Sequence, residues 1–201
     1  MKKLSSGFTL IELMLALVVA GVLLSYGVPQ MSLLINKSRL TMSHNNFLGD
    51  LNVVRSEAVK RSAPVAICAS SDGATCNTAN WEEGRIVYID TVIDGVMTAS
   101  DGETVLKQMR GAEQGITIRG TSFTFTRALG FTGGASTAFN NTIVYGPDGR
   151  PSHRGSFRIC GKGISRGINL SILGQPQKAV DTDSPADGVI DDLNGDNLVC
   201  P

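Results

Sequence analysis

The chain has 201 residues, which suits one globular domain with one further segment. Its 18 basic and 18 acidic residues cancel, so no global charge draws it towards nucleic acid or an anionic membrane surface. Aromatic residues make up 5% and glycines number 23, a balance that favours a turn-rich β domain over a helical one.

The first element is apolar. From Phe8 to Val28 run 21 residues whose only charge is Glu12, and no other charge lies between Lys3 and Lys37. At about 1.5 Å per residue, a helix of that length reaches about 30 Å, the hydrocarbon thickness of a bilayer. A core helix is seldom so long and so uniformly apolar, so residues 8–28 are expected to span a membrane. Lys2 and Lys3 precede the span, which holds that end in the cytoplasm and exports the rest of the chain. A secretory signal carries its small-residue cleavage site after the apolar segment. Here the small residue, Gly7, comes before it. Cutting after Gly7 would remove only the 1–7 leader and leave the apolar helix on a mature chain beginning at Phe8.

Glu12 is out of place in such a helix. A carboxylate within a bilayer costs about 2.5–3.5 kcal/mol on the insertion scale, and the span supplies no partner. A new α-amino group on Phe8 of a neighbouring subunit would be one, because in low dielectric each charge needs the other. The alternative is an acid that reaches the nearby interface unpaired.

Gly7-Phe8-Thr9-Leu10-Ile11-Glu12-Leu13, behind a short basic leader, resembles the class III signal of type IV pilins and type II secretion pseudopilins. The resemblance implies that a prepilin peptidase cleaves after Gly7 and N-methylates Phe8, and that Glu12 serves assembly. It also implies an α+β type IV pilin fold, a long N-terminal helix packed on an antiparallel β-sheet head. The inner membrane, with the C-terminus periplasmic, would hold the subunit before assembly, and a filament on the cell surface would hold it afterwards. Other pilins, major and minor, are the implied partners. No cofactor and no catalysis are expected.

Pro29 comes directly after the span and is expected to kink or open the helix. Beyond it, Leu40, Phe47, Leu48, Leu51, Val54 and Ala58 recur mostly at spacings of three, four or seven, with Asn45, Asn46, Asp50, Arg55 and Glu57 between them. That pattern predicts an amphipathic stalk helix over 29–62, ending near Arg61 or Ser62 because Pro64 biases Ala63 away from helix.

The head, 63–201, reads as β. Candidate strands are 65–68, 85–89, 103–109, 116–119, 122–127, 142–145, 156–160 and 168–173, most of them separated by Gly, Asp or Pro. Short strands without a second helix predict an antiparallel sheet against the apolar face of the stalk. Ile67-Cys68, Asp72-Gly73, Cys76, Trp81 and Gly84 ahead of a Val-Tyr strand, with Ile143 to Arg150 and Phe157-Arg158-Ile159-Cys160, are similar to the GspH/FimT domain of minor pilins and minor pseudopilins.

Some FimT-like members of that family take up DNA through a Gly-Arg-x-Arg motif. This chain has Gly174-Gln175-Pro176-Gln177 after Leu173, and glutamine cannot neutralise phosphate. DNA binding is therefore expected to be weak or absent. A basic stretch remains at Arg150, Arg154, Arg158, Lys162 and Arg166. Arg154 and Arg158 are its candidate nucleic-acid contacts, and a solvated strand face is the plainer reading. The tail then carries Asp181, Asp183, Asp187, Asp191, Asp192 and Asp196 with no Lys or Arg among them.

Four cysteines in an exported chain are expected to form disulfides, and four allow three pairings. Cys68–Cys76 would close a turn-rich loop around Asp72-Gly73. Cys160–Cys200 is implied by the pilin resemblance, in which the tail is commonly tied to the sheet. It would draw the acidic tail over Arg154 and Arg158 and neutralise them. Asp192-Leu193-Asn194-Gly195-Asp196-Asn197 starts like a calcium loop but lacks its later bidentate acid, so it is expected to be an Asx-rich turn and no metal site.

Enzyme chemistry finds no support in the sequence. His44 and His153, the only histidines, lack a nucleophile or metal ligand at a recognisable spacing. The expected function is that of a minor pilin of FimU/FimT type, priming or capping a type IV pilus. A type II secretion minor pseudopilin and a DNA-binding pilin for natural transformation are the alternatives.

Overall fold

The computed structural model describes residues 8–78, 80–125, 141–183 and 185–200. The 1–7 leader, Gly7 included, and residues 126–127 of one expected strand lie outside them. One helix, α1, runs from Leu10 to Arg61. Its assignment continues through Pro29 without a break, so the helix is not opened there. Its end has a local cause. Ser62 takes a positive φ of 51°, Ala63 N–H bonds the Ala58 carbonyl at 3.3 Å and Ser62 N–H bonds the Val59 carbonyl at 3.3 Å. This pair of bonds satisfies carbonyls that the last turn leaves open.

Two compact units divide at Ser38/Arg39, so the second half of α1 belongs with the strands rather than forming a stalk apart from them. The strands are β1 (Val65–Ala69), β2 (Gly84–Ile89), β3 (Val105–Arg110), β4 (Thr117–Phe125), β5 (Thr142–Tyr145), β6 (His153–Gly161), β7 (Ile164–Leu170) and β8 (Pro176–Lys178). They form two four-stranded antiparallel sheets, in the orders β3-β2-β1-β5 and β4-β6-β7-β8, where a single sheet is expected from the sequence. The expected strands at 116–119 and 122–127 are one strand, β4, with a register shift against β6 between Thr121 and Thr124. β8 is missed because Pro176 argues against a strand, yet it is an edge strand, where a missing N–H is tolerated.

Both sheets and one stripe of α1 share the main core. Leu40, Phe47, Leu51, Val54 and Ala58 of the helix pack with Ile67, Val87, Ile143, Ile159 and Ile168, among others, all of them buried. At its centre Phe47, Trp81 and Phe157 meet edge to face, with ring centroids 4.7–5.5 Å apart. The outer face of the first sheet is covered too, since Ala66, Cys68, Ile86, Tyr88 and Val144 form a second buried cluster. That double burial is why β1 and β2 read as continuous apolar runs rather than alternating ones.

Candidate functional site

The N-terminal unit is built for contact. Every large apolar side chain from Phe8 to Val28 is exposed, Phe8 at 86%. An 18-residue window of α1, none of it buried, is long and apolar enough to cross a membrane. Thr9 precedes the helix, and its Oγ1 accepts the Glu12 N–H at 3.3 Å. Thr9-Leu10-Ile11-Glu12 is thus a helix N-cap of the Thr-x-x-Glu kind, a role for Thr9 that the sequence reading missed although the spacing carried it. The Glu12 side chain is exposed in the first turn. Phe8 and Glu12 therefore lie at one end of the helix, open to whatever surrounds it.

The head is held by polar ties around its core. Arg85 is buried on β2 and pairs with Asp50 of α1, Nη2 to Oδ2 at 2.6 Å. Its guanidinium also donates to the Trp81 carbonyl (2.8 Å) and the Arg110 carbonyl (2.8 Å), and lies 5.0 Å over the Phe47 ring. Burial pushes the Asp50 carboxyl up, with the Arg85 guanidinium working against it. Arg55 Nε donates to the Gly149 carbonyl at 3.0 Å, which fixes the Gly146–Gly149 turn to the helix. Both histidines are structural. His44 Nε2 donates to the Gly167 carbonyl at 3.1 Å, and burial lowers its pKa. Burial takes His153 down to about 4.

The two cysteine pairs are joined as Cys68–Cys76 and Cys160–Cys200, with Cα–Cα distances of 5.6 and 5.8 Å. Asp72 organises the short loop between the first pair. Its carboxylate accepts from Thr75 N–H and Oγ1, Ala74 N–H and Ser70 Oγ, and these bonds, the Thr75 N–H foremost, hold it well below the usual carboxylate range.

Arg154 and Arg158 lie on the same side of β6, since the strand starts at His153. Arg154 is exposed. Arg158 Nη1 donates to the Val199 carbonyl at 2.7 Å, so the tail meets Arg158 through its main chain, and among the described residues no acid pairs with Arg158. The expectation that the tail's carboxylates neutralise Arg158 is corrected accordingly. Asp181, Asp187, Asp191 and Asp192 accept instead from backbone N–H groups of the tail itself. Asp192 accepts from Asn194 and Asp196 N–H at 2.7 and 3.0 Å, which is an Asx turn.

Gln175 and Gln177 are both exposed. Gly174 before them has φ +79°, and a Cβ there would fall 2.1 Å from the Gly149 carbonyl oxygen. The glycine of that motif is therefore required by close backbone approach, while the positions that would carry charge are open and neutral.

Comparison with protein families places these features together. The family described as Type II transport protein GspH matches residues 44–174, and the prokaryotic N-terminal methylation motif matches residues 2–27. The chain belongs to the GspH/FimT family of type IV pilin-like proteins. Among solved structures, this family member is similar to the Pseudomonas aeruginosa type IV minor pilin FimU, at 18% identity and TM-score 0.51, over 71% of this chain and 89% of that one. It is also similar to the minor pseudopilin EpsH from the type II secretion system of Vibrio cholerae, at 12% identity and TM-score 0.43, over 71% and 94%. No curated protein sequence gives a match. The fold is that of a type IV pilin, a long N-terminal helix with antiparallel sheets, and the family is one of structural subunits rather than enzymes.

Proposed function

We propose that this chain is a minor pilin of a type IV pilus, recruited through its N-terminal helix to prime or cap the filament. The observation that carries the reading is the helix from Leu10 to Val28, apolar on every side and wholly exposed, with Glu12 as its one charge. Prepilin peptidase cleaves after Gly7 and methylates Phe8. Glu12 then meets the Phe8 amine of a neighbouring subunit as helices pack. The subunit waits in the inner membrane with its head outside and passes into the filament on assembly. The head supplies contacts to other pilins, and DNA plays no part, because Gln175 and Gln177 stand where arginines would bind phosphate.

A second reading has its own support, since the family name is that of a type II transport protein and EpsH is a minor pseudopilin. In that case the same helix joins a secretion pseudopilus. Mass spectrometry of sheared, purified pili separates the two. The pilus reading expects this subunit in the pili, beginning at N-methylated Phe8. Its absence from pili, together with loss of secreted proteins when the gene is deleted, would move the assignment to secretion.

A further inference from the structure

The loop between β2 and β3 sets acids against one another inside the head. Asp90, Asp94 and Glu103 each place a carboxylate oxygen within 4.8 Å of the others. Asp90 is 0% exposed and Glu103 4%. Their places follow from the sheet. β2 and β3 run antiparallel with Tyr88 opposite Val105. The ladder continues past the end of β2, where Ile89 N–H bonds the Thr104 carbonyl at 3.3 Å and Asp90 N–H bonds the Pro64 carbonyl at 3.1 Å. Two residues further on, the same register sets Asp90 opposite Glu103, on the face that carries Tyr88. Like charges directly opposite each other repel, and low dielectric strengthens the repulsion. Among the described residues no ion pair involves Asp90, Asp94 or Glu103.

An acidic group alone needs no ligand, but Tyr88 sets this one apart. Its side chain is fully buried, and its hydroxyl has no hydrogen-bond partner among the described residues. The ring belongs to the outer cluster of the first sheet, and Ile93 and Met97 of the acid-bearing loop pack on that cluster. Tyr88 is two residues from Asp90 on one face and diagonal to Glu103, so its hydroxyl is turned to the acids. Burial raises the phenol's pKa, and the charges that add to this effect are those of Asp90, Glu103 and Asp94. A buried hydroxyl without a partner and buried carboxylates without a counter-charge all carry a desolvation cost. Backbone bonds shape the loop without removing it. Asp90 accepts from Asp94 and Gly95 N–H, Glu103 from Thr91 and Thr98 N–H, and Asp94 from Val96 N–H. Each carboxylate has about four lone-pair sites, so acceptor capacity remains.

We propose that Asp90, Asp94 and Glu103, with the Tyr88 hydroxyl, bind a divalent cation, calcium by preference. The ion would supply the charge that the opposed carboxylates lack and a partner for the phenol oxygen. The donors are all hard oxygens, which selects calcium or magnesium over softer metals. Calcium–oxygen distances are about 2.3–2.6 Å, so two ligands across one ion stand about 5 Å apart, the span of this group. Three carboxylates and a hydroxyl supply most of the six to eight oxygens that calcium takes in irregular geometry, and water at the half-buried Asp94 completes the shell. Magnesium demands a tighter octahedron at about 2.0–2.1 Å. The bound ion would fix a loop that presents Val92 and Val96 at the surface of the head. The site does not depend on the pilus reading.

The test uses the full-length chain in detergent, stripped with chelator and titrated with calcium chloride or magnesium chloride by calorimetry. Thermal unfolding is followed in parallel. The expected result is one calcium per chain, with Kd of about 10⁻⁴ M, the range of extracellular calcium modules, and a raised Tm. Magnesium should bind about tenfold or more weakly. Asp94→Asn keeps an oxygen for the Val96 N–H and should weaken calcium about tenfold or more. Tyr88→Phe removes a hydroxyl that has no partner, so it should leave the Tm of the stripped chain no lower while weakening calcium about threefold. Asp183→Asn, in the tail, should bind calcium as the intact chain does. No heat and no Tm shift at about 10 mM calcium would overturn the site, as would undiminished binding by Asp94→Asn. Binding lost in Asp183→Asn and kept in Asp94→Asn would move the ion to the tail and overturn it equally. Undiminished binding by Tyr88→Phe would overturn the role given to the hydroxyl, and equal affinity for magnesium the preference for calcium.

Discussion

The two halves of α1 share one helical backbone and use apolar residues in opposite ways. In the first half Leu10 is 76% exposed and Val28 64%, and apolar residues occupy every side. In the second half Leu40, Phe47, Leu51, Val54 and Ala58 are at most 1% exposed, and polar residues fill the other faces. The difference is spacing, not composition alone. A single apolar stripe can be covered by one set of sheets, and the chain brings those sheets. A helix apolar all round finds no such cover among the described residues, and its surface is of the kind that suits lipid or other apolar helices. Changes in the second half should therefore be read out as head stability, and changes in the first half as assembly.

The largest effect on stability is expected at the aromatic centre. Trp81→Ala removes the ring that packs edge to face on both Phe47 and Phe157 and leaves a cavity in the core shared by the helix and the sheets. It should cost about 3–5 kcal/mol, measured by urea unfolding, with membrane insertion intact. A loss under about 1 kcal/mol would mean that the core collapses around the gap.

Breaking the buried ion pair comes next. Asp50→Ala leaves the Arg85 guanidinium, 3% exposed, with only two carbonyls and the Phe47 ring. A cost of about 3 kcal/mol is expected, because an uncompensated buried charge is worse than no pair. Asp50→Ala combined with Arg85→Met should recover part of the loss, since both charges are then gone. A double variant no better than the single one would show that Arg85 acts through its carbonyl bonds rather than through Asp50.

The head also carries two acid-range titrations of opposite sign. His153, lowered to about 4, binds its proton more readily in the unfolded chain, so its stabilisation is present above pH 6.5 and lost as pH falls towards 4. Asp90, raised to about 6 chiefly by burial, binds its proton more readily in the folded chain. Its contribution is present at low pH and lost as pH rises through 6. Between pH 6 and 4 the two oppose each other, and the intact protein should change little. His153→Gln should gain stability relative to the intact protein over that window, by about 2 kcal/mol, and Asp90→Asn should lose it more steeply. Parallel curves of Tm against pH for all three proteins would refute both assignments.

The legibility of this fold in its sequence tracks the strength of the local signals. The apolar N-terminal helix, the stripe at Leu40, Phe47, Leu51, Val54 and Ala58, and the helix end before Pro64 were legible because periodicity and proline act within a few residues. Two sheets were not distinguishable from one, because only pairings between distant segments, such as β1 with β5, separate them. Asp50 and Arg85 looked like ordinary surface charges, and only their meeting across 35 residues makes them a buried tie. Asp191 read as one acid among six in the tail, and the bonds to Thr182 that bury it have no signature of their own.

The smallest effect on stability, and the sharpest test of the first half, is at Glu12. Both of its possible roles sit at the same place. As the residue three positions after the capping Thr9 it steadies the first turn, a place where Glu and Gln serve alike. As a charge partner it meets the Phe8 amine of another subunit. Glu12→Gln separates these roles, because Thr-x-x-Gln serves a helix start as Thr-x-x-Glu does and only the charge is lost. Glu12→Ala loses both. Urea unfolding of the head should be unchanged in either variant, since Glu12 lies in the other unit. Membrane insertion should be normal or improved, as an acid has been removed from the span. Recruitment into filaments, measured by immunoblot of sheared pili, should fall equally for both if pairing with Phe8 is the role. Wild-type recruitment by Glu12→Gln beside failure of Glu12→Ala would assign Glu12 to the cap, and the charge would then have no part in assembly.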